Sequence, residues 1–199
     1  METEEFKSKK IGNHVWMLNN LNVDHFRNGD KIPNVTDMEE WSETEEPAWC
    51  YFENDPENGK VSGKLYNAAA IQDPRELAPV GWHIATAKEW EETINYLIEE
   101  NKNSPSDEDD EDEDNDEDDE VFPALFYIQE CLELETGGMI DENTEFAPSF
   151  SPECDQGSWW TIELNVFFWG SEGYELHPSL YKGNSYNFQG CSVLCIKDI

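Results

Sequence analysis

The stretch PVGWHIATAKEWEETINYLI (79–98) decides how this chain folds. Pro79 and Gly81 mark a turn, and Trp82, His83 and Ile84 follow as a short extended run. Thr86 stands three residues before Glu89, the spacing of a capping box, which predicts a helix from Ala87. Trp90, Ile94, Leu97 and Ile98 then fall on one helical face, as a helix packed on a core requires. Turn, strand, cap and amphipathic helix agree, so the stretch specifies a folded domain. It carries no catalytic signature.

Outward from it, residues 1–13 are polar and charged and read as a flexible N-terminal arm. HVWMLN (14–19) predicts the first strand, and residues 21–26 a second extended piece. MEEWSET (38–44) has room for one helical turn before Pro47, and AWCYF (48–52) has strand character. Residues 53–59 are rich in turn formers, and NAAAIQ (67–72) predicts a short helix. After the central helix, which frays near Asn101, residues 107–120 are acidic at every position but Asn115. Charge packed so densely cannot collapse, which predicts a disordered loop insertion over residues 103–120 of a domain spanning 14–199. LFYIQECLE (125–133) fits a helix or a strand, with helix preferred. From residue 157 onward, short aromatic runs alternate with turns at 158–162, 166–169, 174–176, 185–188 and 191–197. That texture predicts several short antiparallel strands, and the whole reads as α+β.

Composition limits the function. The chain has 199 residues and a formal net charge of −34, and the folded part is strongly acidic even without the run at 107–120. Such a surface repels nucleic-acid phosphates and anionic lipid, leaving proteins and glycans as partners and a basic protein as a fit for the acidic loop. No apolar run is long enough to span a membrane. No signal-peptide core follows Met1, so a native start there predicts the cytoplasm. The five cysteines are compatible with free thiols or with two bridges and a spare.

Several motifs in order carry a resemblance. They are Trp16 with Asn20 and Leu21, Cys50-Tyr51, Gly63 with Leu65-Tyr66-Asn67, Gly81-Trp82-His83, Glu89-Trp90, Trp159-Trp160 and the run from Gly190 to Cys195. Together they resemble the Fibrobacter succinogenes major paralogous domain over roughly residues 14–198, apart from the acidic insertion and much of 121–156. Ala78 stands where many members carry Cys, Cys191 replaces a usual aromatic, and residues 146–150 hold only a remnant of a glycine-rich family segment. The resemblance implies a C-type-lectin-like fold, shared with formylglycine-generating enzymes: two main helices on small antiparallel sheets, with the termini close together. It implies bacterial modules often secreted or surface-exposed, with no general activity.

Candidate chemistry is sparse. Cys191 and Cys195, four apart on one predicted strand, face the same side about 13 Å apart, too far to bridge. They read as buried small hydrophobes; the likeness to formylglycine-generating enzymes raises a copper oxidoreductase as an alternative. His14, His25, His83 and His177 are scattered, and His83 reads as a hydrogen-bonded structural residue. Asp55, Glu57 and Asn58 offer oxygen ligands near a turn, a weak calcium candidate without EF-hand spacing; no cofactor is otherwise expected. Trp159 and Trp160 are adjacent, so on a strand one should point inward and one outward. The expected working surface is an aromatic-rich C-terminal face made of Trp159, Phe167, Trp169, Tyr174, Tyr181, Asn184 and Tyr186. Rigid aromatics among small polar residues supply contact area at low entropic cost. The sequence therefore points to a non-enzymatic binding module for a protein or glycan. A structural or assembly protein that docks through its acidic loop is the alternative.

Overall fold

A computed structural model describes residues 6–60, 62–102, 139–140, 157–164, 166–170, 173–177 and 190–198. The acidic run, the segment at 125–133 and the expected strand at 185–188 lie outside the described residues. The N-terminal elements are strands β1 (Ser8–Ile11) and β2 (His14–Met17), helix α1 (Met38–Glu43), β3 (Trp49–Cys50) and β4 (Leu65–Asn67). Helix α2 (Ala68–Ile71), β5 (Trp82–Ile84) and helix α3 (Ala87–Lys102) follow. The C-terminal strands are β6 (Met139–Ile140), β7 (Gly157–Trp160), β8 (Val166–Gly170), β9 (Gly173–His177), β10 (Gly190–Val193) and β11 (Cys195–Lys197). This is an α+β architecture with two small sheets. None of the described helices is long and apolar enough to cross a membrane.

The first sheet has the order β1-β2-β11-β5, and the second runs β3-β4-β10-β7-β8-β9 with β6 also paired to β10. The final segment of the chain joins them, because β10 belongs to one sheet and β11 to the other. The expected single strand over 191–197 is thus two, broken at Leu194, whose carbonyl accepts from the Ala85 N–H at 3.1 Å. Residues 8–11, expected within the loose arm, instead pair with β2 from Ser8↔Met17 to Ile11↔His14. Their sequence, SKKI, hid this: on an outer strand the lysines face water and protect the edge, and only Ile11 is buried. Residues 21–26, expected as extended, form no strand beyond an isolated His25↔Lys31 bridge.

The capping box predicted at the start of α3 is present in full. The Glu89 N–H donates to Thr86 Oγ1 at 3.1 Å, and Glu89 Oε2 accepts from the Thr86 N–H at 2.8 Å. Trp90, Ile94 and Leu97 are buried, and Ile98 packs partly buried against the same cluster. Trp90 lies between Trp16 and Trp159, with ring centroids 4.5 and 5.8 Å away. Three buried tryptophans have bonded indole N–H groups: Trp16 to Thr93 Oγ1 at 3.0 Å, Trp49 to the Ile32 carbonyl at 2.9 Å, and Trp160 to the Tyr66 carbonyl at 2.7 Å. Asn67 is a second organiser. Its Oδ1 accepts from Ala70 N–H, capping α2, and from Ala48 N–H, while its Nδ2 donates to the Glu46 carbonyl. Gly63, at φ +66°, is required by close approach, since a Cβ there would lie 2.5 Å from the Leu21 carbonyl oxygen.

His83 ties these parts together. Its Nδ1 lies 2.7 Å from Asp198 Oδ1, just past β11, and its Nε2 lies 2.8 Å from Glu89 Oε1 in the cap of α3. Burial of the ring pulls its pKa down, but Asp198 and Glu89 outweigh burial and hold it above the ordinary value. Burial likewise pushes Glu89 up, but the Thr86 N–H and hydroxyl together with His83 prevail and hold it low. The structural role expected for His83 fits this geometry.

Two predictions arise. Trp90→Ala removes the centre of the tryptophan trio and should cost about 3–5 kcal/mol in urea unfolding; a loss below about 1 kcal/mol would show that the trio does not organise the core. Because His83 is raised when folded, its contribution is complete below its unfolded pKa and fades as pH rises through the folded one; that of Glu89 fades as pH falls through its own lowered value. The melting-temperature gap between wild type and His83→Gln should therefore be widest between about 4.5 and 6.5 and shrink toward about pH 9. A gap that is flat across that range would contradict the assignment.

Candidate binding face

Strands β7, β8 and β9 are built from GSWW, VFFWG and GYELH, where β-branched and aromatic residues favour a pleated surface and glycines close the ends. Their register pairs Trp159 with Phe167, Phe167 with Leu176, and Trp169 with Tyr174. Residues paired across an antiparallel ladder share a face, and alternate residues along a strand do too. Positions 159, 167, 169, 174 and 176 therefore share one face of the sheet, in the two neighbouring rows 159-167-176 and 157-169-174. Among the described strands, β9 ends the sheet order.

The inner end of the first row belongs to the core. Trp159 is 2% exposed, and its Nε1 donates to Asn20 Oδ1 at 2.7 Å. Trp160 is wholly buried as well. The expectation of one inward and one outward tryptophan fails because β7 lies between β10 and β8, with a separate hydrophobic cluster against each face. Trp159 is thus placed as a buttress and is corrected as a ligand contact. Positions 167, 169 and 174 share the strand face of position 159 by backbone register. Tyr181, Asn184 and Tyr186 lie outside the described residues.

The turn at 53–59 uses its oxygens locally. Asp55 Oδ1 accepts from the Glu57 N–H at 2.9 Å, Glu57 pairs with Lys60, and Asn58 Nδ2 donates to the Phe52 carbonyl at 3.0 Å. Among the described residues, no group of three or more His, Cys, Asp or Glu is arranged to hold a metal ion. Cys50, Cys191 and Cys195 are free and buried. Burial pushes the Cys50 and Cys195 thiols up to about 12, and Cys191 higher still, so the thiolate needed for copper or nucleophilic chemistry is disfavoured. Cys131 and Cys154 lie outside the described residues. His14 lies 3.0 Å from Glu92 Oε2, and His25 lies 3.0 Å from Asp24 Oδ1.

One polar feature escaped the sequence reading. Lys64 is 5% exposed; its Nζ donates to the Asn22 carbonyl at 3.0 Å and to Asn22 Oδ1 at 2.7 Å. It also lies 4.4 Å from the Trp49 ring centroid and 5.1 Å from that of Tyr51. Burial pulls its pKa down, and the nearby Asp24 opposes this. A lysine in SGKLYN reads as a solvated residue, and only the fold shows that β3 and the 20–24 loop close over it.

The geometry therefore gives aromatic positions sharing a strand face with the buried Trp159, three buried thiols, and a His83 bonded to Asp198 and Glu89. Comparison of the chain with curated proteins and with solved structures finds no match in either. The Fibrobacter succinogenes major domain, in contrast, matches residues 10–197, nearly the whole chain, and the chain belongs to that family.

Proposed function

We propose that the chain is a non-enzymatic binding module with a C-type-lectin-like fold that takes a protein or glycan ligand on its C-terminal aromatic face. The observation that supports this reading is the register, which puts positions 167, 169 and 174 on the same sheet face as the buried Trp159. A face fixed to the core at one end loses little freedom on binding, and aromatic residues of this kind dominate binding energy where they occur. The lectin-like arrangement is supported by the pairing of N-terminal β2 with C-terminal β11, which brings the two ends of the domain together. A second reading has one observation behind it, the thirteen carboxylates within residues 107–120: an assembly role in which that segment docks a basic partner.

Affinity capture with the intact chain separates the two. Trp169→Ala and Tyr174→Ala should each weaken ligand binding by about tenfold or more while the melting temperature stays within a few degrees of wild type. Undiminished binding in both variants would remove the aromatic face from consideration. Deleting residues 103–120 should abolish capture of a basic partner in the assembly reading and leave glycan or neutral-protein binding intact in the aromatic-face reading.

A further inference from the structure

A second recognition surface lies away from the aromatic strands, where the β1–β2 hairpin meets α3. Its tip is Gly12-Asn13, with Gly12 at φ +54° and seated against Tyr96; a Cβ there would lie 3.1 Å from Tyr96 Cγ. Helix positions 92, 95, 96 and 99 form a stripe of spacing i, i+3, i+4, i+7, beside the core face of Trp90, Ile94 and Leu97. Hairpin tip and helix stripe enclose an open groove of ≈ 460 Å³ lined by Asn13, His14, Glu92, Asn95 and Tyr96 among others. Ligand-binding clefts run from about 300 to 1,000 Å³, so the groove suits a short ligand rather than a folded domain.

The charges in the groove narrow the ligand. Glu92 Oε1 lies 3.0 Å from Lys88 Nζ, and its Oε2 lies 3.0 Å from His14 Nε2. The bond from Lys88, followed by that from His14, holds the Glu92 carboxyl below its usual range. Glu99, at the far end of the stripe, also lines the groove and is itself engaged in an interaction; with Glu92 already answered by two nitrogens, an incoming ammonium finds little new Coulombic gain. Anionic ligands meet the opposite obstacle, a chain with a formal net charge of −34. What the groove does offer is neutral polar capacity. Asn13 and Asn95 are exposed, and their side-chain amides make no hydrogen bond among the described residues. Each amide combines two donors with a two-lone-pair acceptor. Beside them lies the ring of Tyr96, 38% exposed, with its hydroxyl bonded to Glu100 Oε1 at 2.6 Å. Paired donors and acceptors next to an aromatic surface match a ligand with vicinal hydroxyls and apolar C–H patches.

From this geometry we infer that the groove between the β1–β2 hairpin and α3 is a binding site for a neutral saccharide, with Asn13 and Asn95 reading hydroxyls and Tyr96 packing against the ring. The inference rests on the hairpin and helix alone and stands whether or not the aromatic face binds anything.

The test uses the intact chain on immobilised mannose-, glucose- and galactose-terminated oligosaccharides, with sialylated glycans and a lysine-rich peptide alongside. Binding to at least one neutral glycan is expected, weakened about tenfold by Asn95→Ala and by Asn13→Ala and unaffected by Trp169→Ala. Asn95 is exposed on a helix, so its variant reports on the groove even if Asn13→Ala disturbs the hairpin; thermal melts check both. Binding to none of the neutral glycans, or only to the sialylated glycans or the peptide, overturns the assignment. So does neutral-glycan binding that survives Asn95→Ala. Loss with Trp169→Ala alone also overturns the groove and transfers the saccharide to the aromatic face.

Discussion

The structure depends on one short segment, GCSVLCIK at residues 190–197, which hydrogen-bonds to strands in both sheets. β10 pairs with β4 and β6 antiparallel and with β7 parallel, and β11 pairs with β2 and β5. Every residue from Gly190 to Ile196 is buried. A strand enclosed on both faces and both edges has no room for alternation between polar and apolar residues, so its composition is almost continuously apolar. Its one hydroxyl, Ser192 Oγ, donates to the Ser62 carbonyl at 2.8 Å, as a buried polar group must. Cys191 and Cys195 fit the same demand for small apolar side chains. Their spacing therefore has a packing cause before any chemical one is considered.

The rest of the fold is arranged to hold that segment. The carbonyl of Val193 accepts from Leu21 N–H at 2.8 Å, Leu194 receives the Ala85 N–H, and Asp198 N–H donates to the Gly81 carbonyl at 2.9 Å. The turn before β5 is fixed in turn by Arg27, whose guanidinium donates to the Ala78, Pro79 and Trp82 carbonyls and pairs with Glu76. A planar guanidinium holds five donors in a fixed fork, which suits three turn carbonyls and a carboxylate at once, where a lysine has three donors on one nitrogen. The end of β11, the turn at 79–82 and the cap of α3 thus form one connected polar network around His83. Its members are far apart in sequence, so the network closes only once β11 has paired with β5.

Local signals were legible in the sequence, and long-range ones were not. The cap at Thr86 and Glu89 and the core face of α3 could be read because each depends on residues within one or two turns. The short helices expected within 38–44 and 67–72 are found at 38–43 and 68–71, and the structure adds their caps, Asp37 and Asn67. β1 was missed since an edge strand with one buried residue resembles a tail. The break at Leu194 was missed because a residue that leaves one sheet for another carries no compositional mark. Trp159 was misassigned for a related reason: alternation tells which residues share a face, but whether that face is covered depends on what packs there, here Trp90 from α3. Lys64 is the same problem in reverse, a charged side chain enclosed by partners that its own neighbours do not reveal.

That distinction bears on where recognition can occur. Residues 159, 167, 169 and 174 share one face by register, yet their surroundings differ, because Trp159 on β7 packs against Trp90 of α3 while β9 ends the described sheet. A binding face needs both properties. An inner anchor restricts the strand's freedom before the ligand arrives, and an outer edge leaves surface for the ligand to cover. On the proposed reading, the core tryptophan would brace the sheet that carries positions 167, 169 and 174 without touching a ligand itself. The hairpin–helix groove follows the same logic: Gly12 seats the tip on Tyr96 and Ile11 anchors it in the core, so Asn13 is offered from a braced turn rather than a free loop. In both places the rigid part of the surface is legible as packing, and the part left over for recognition is what the packing does not consume.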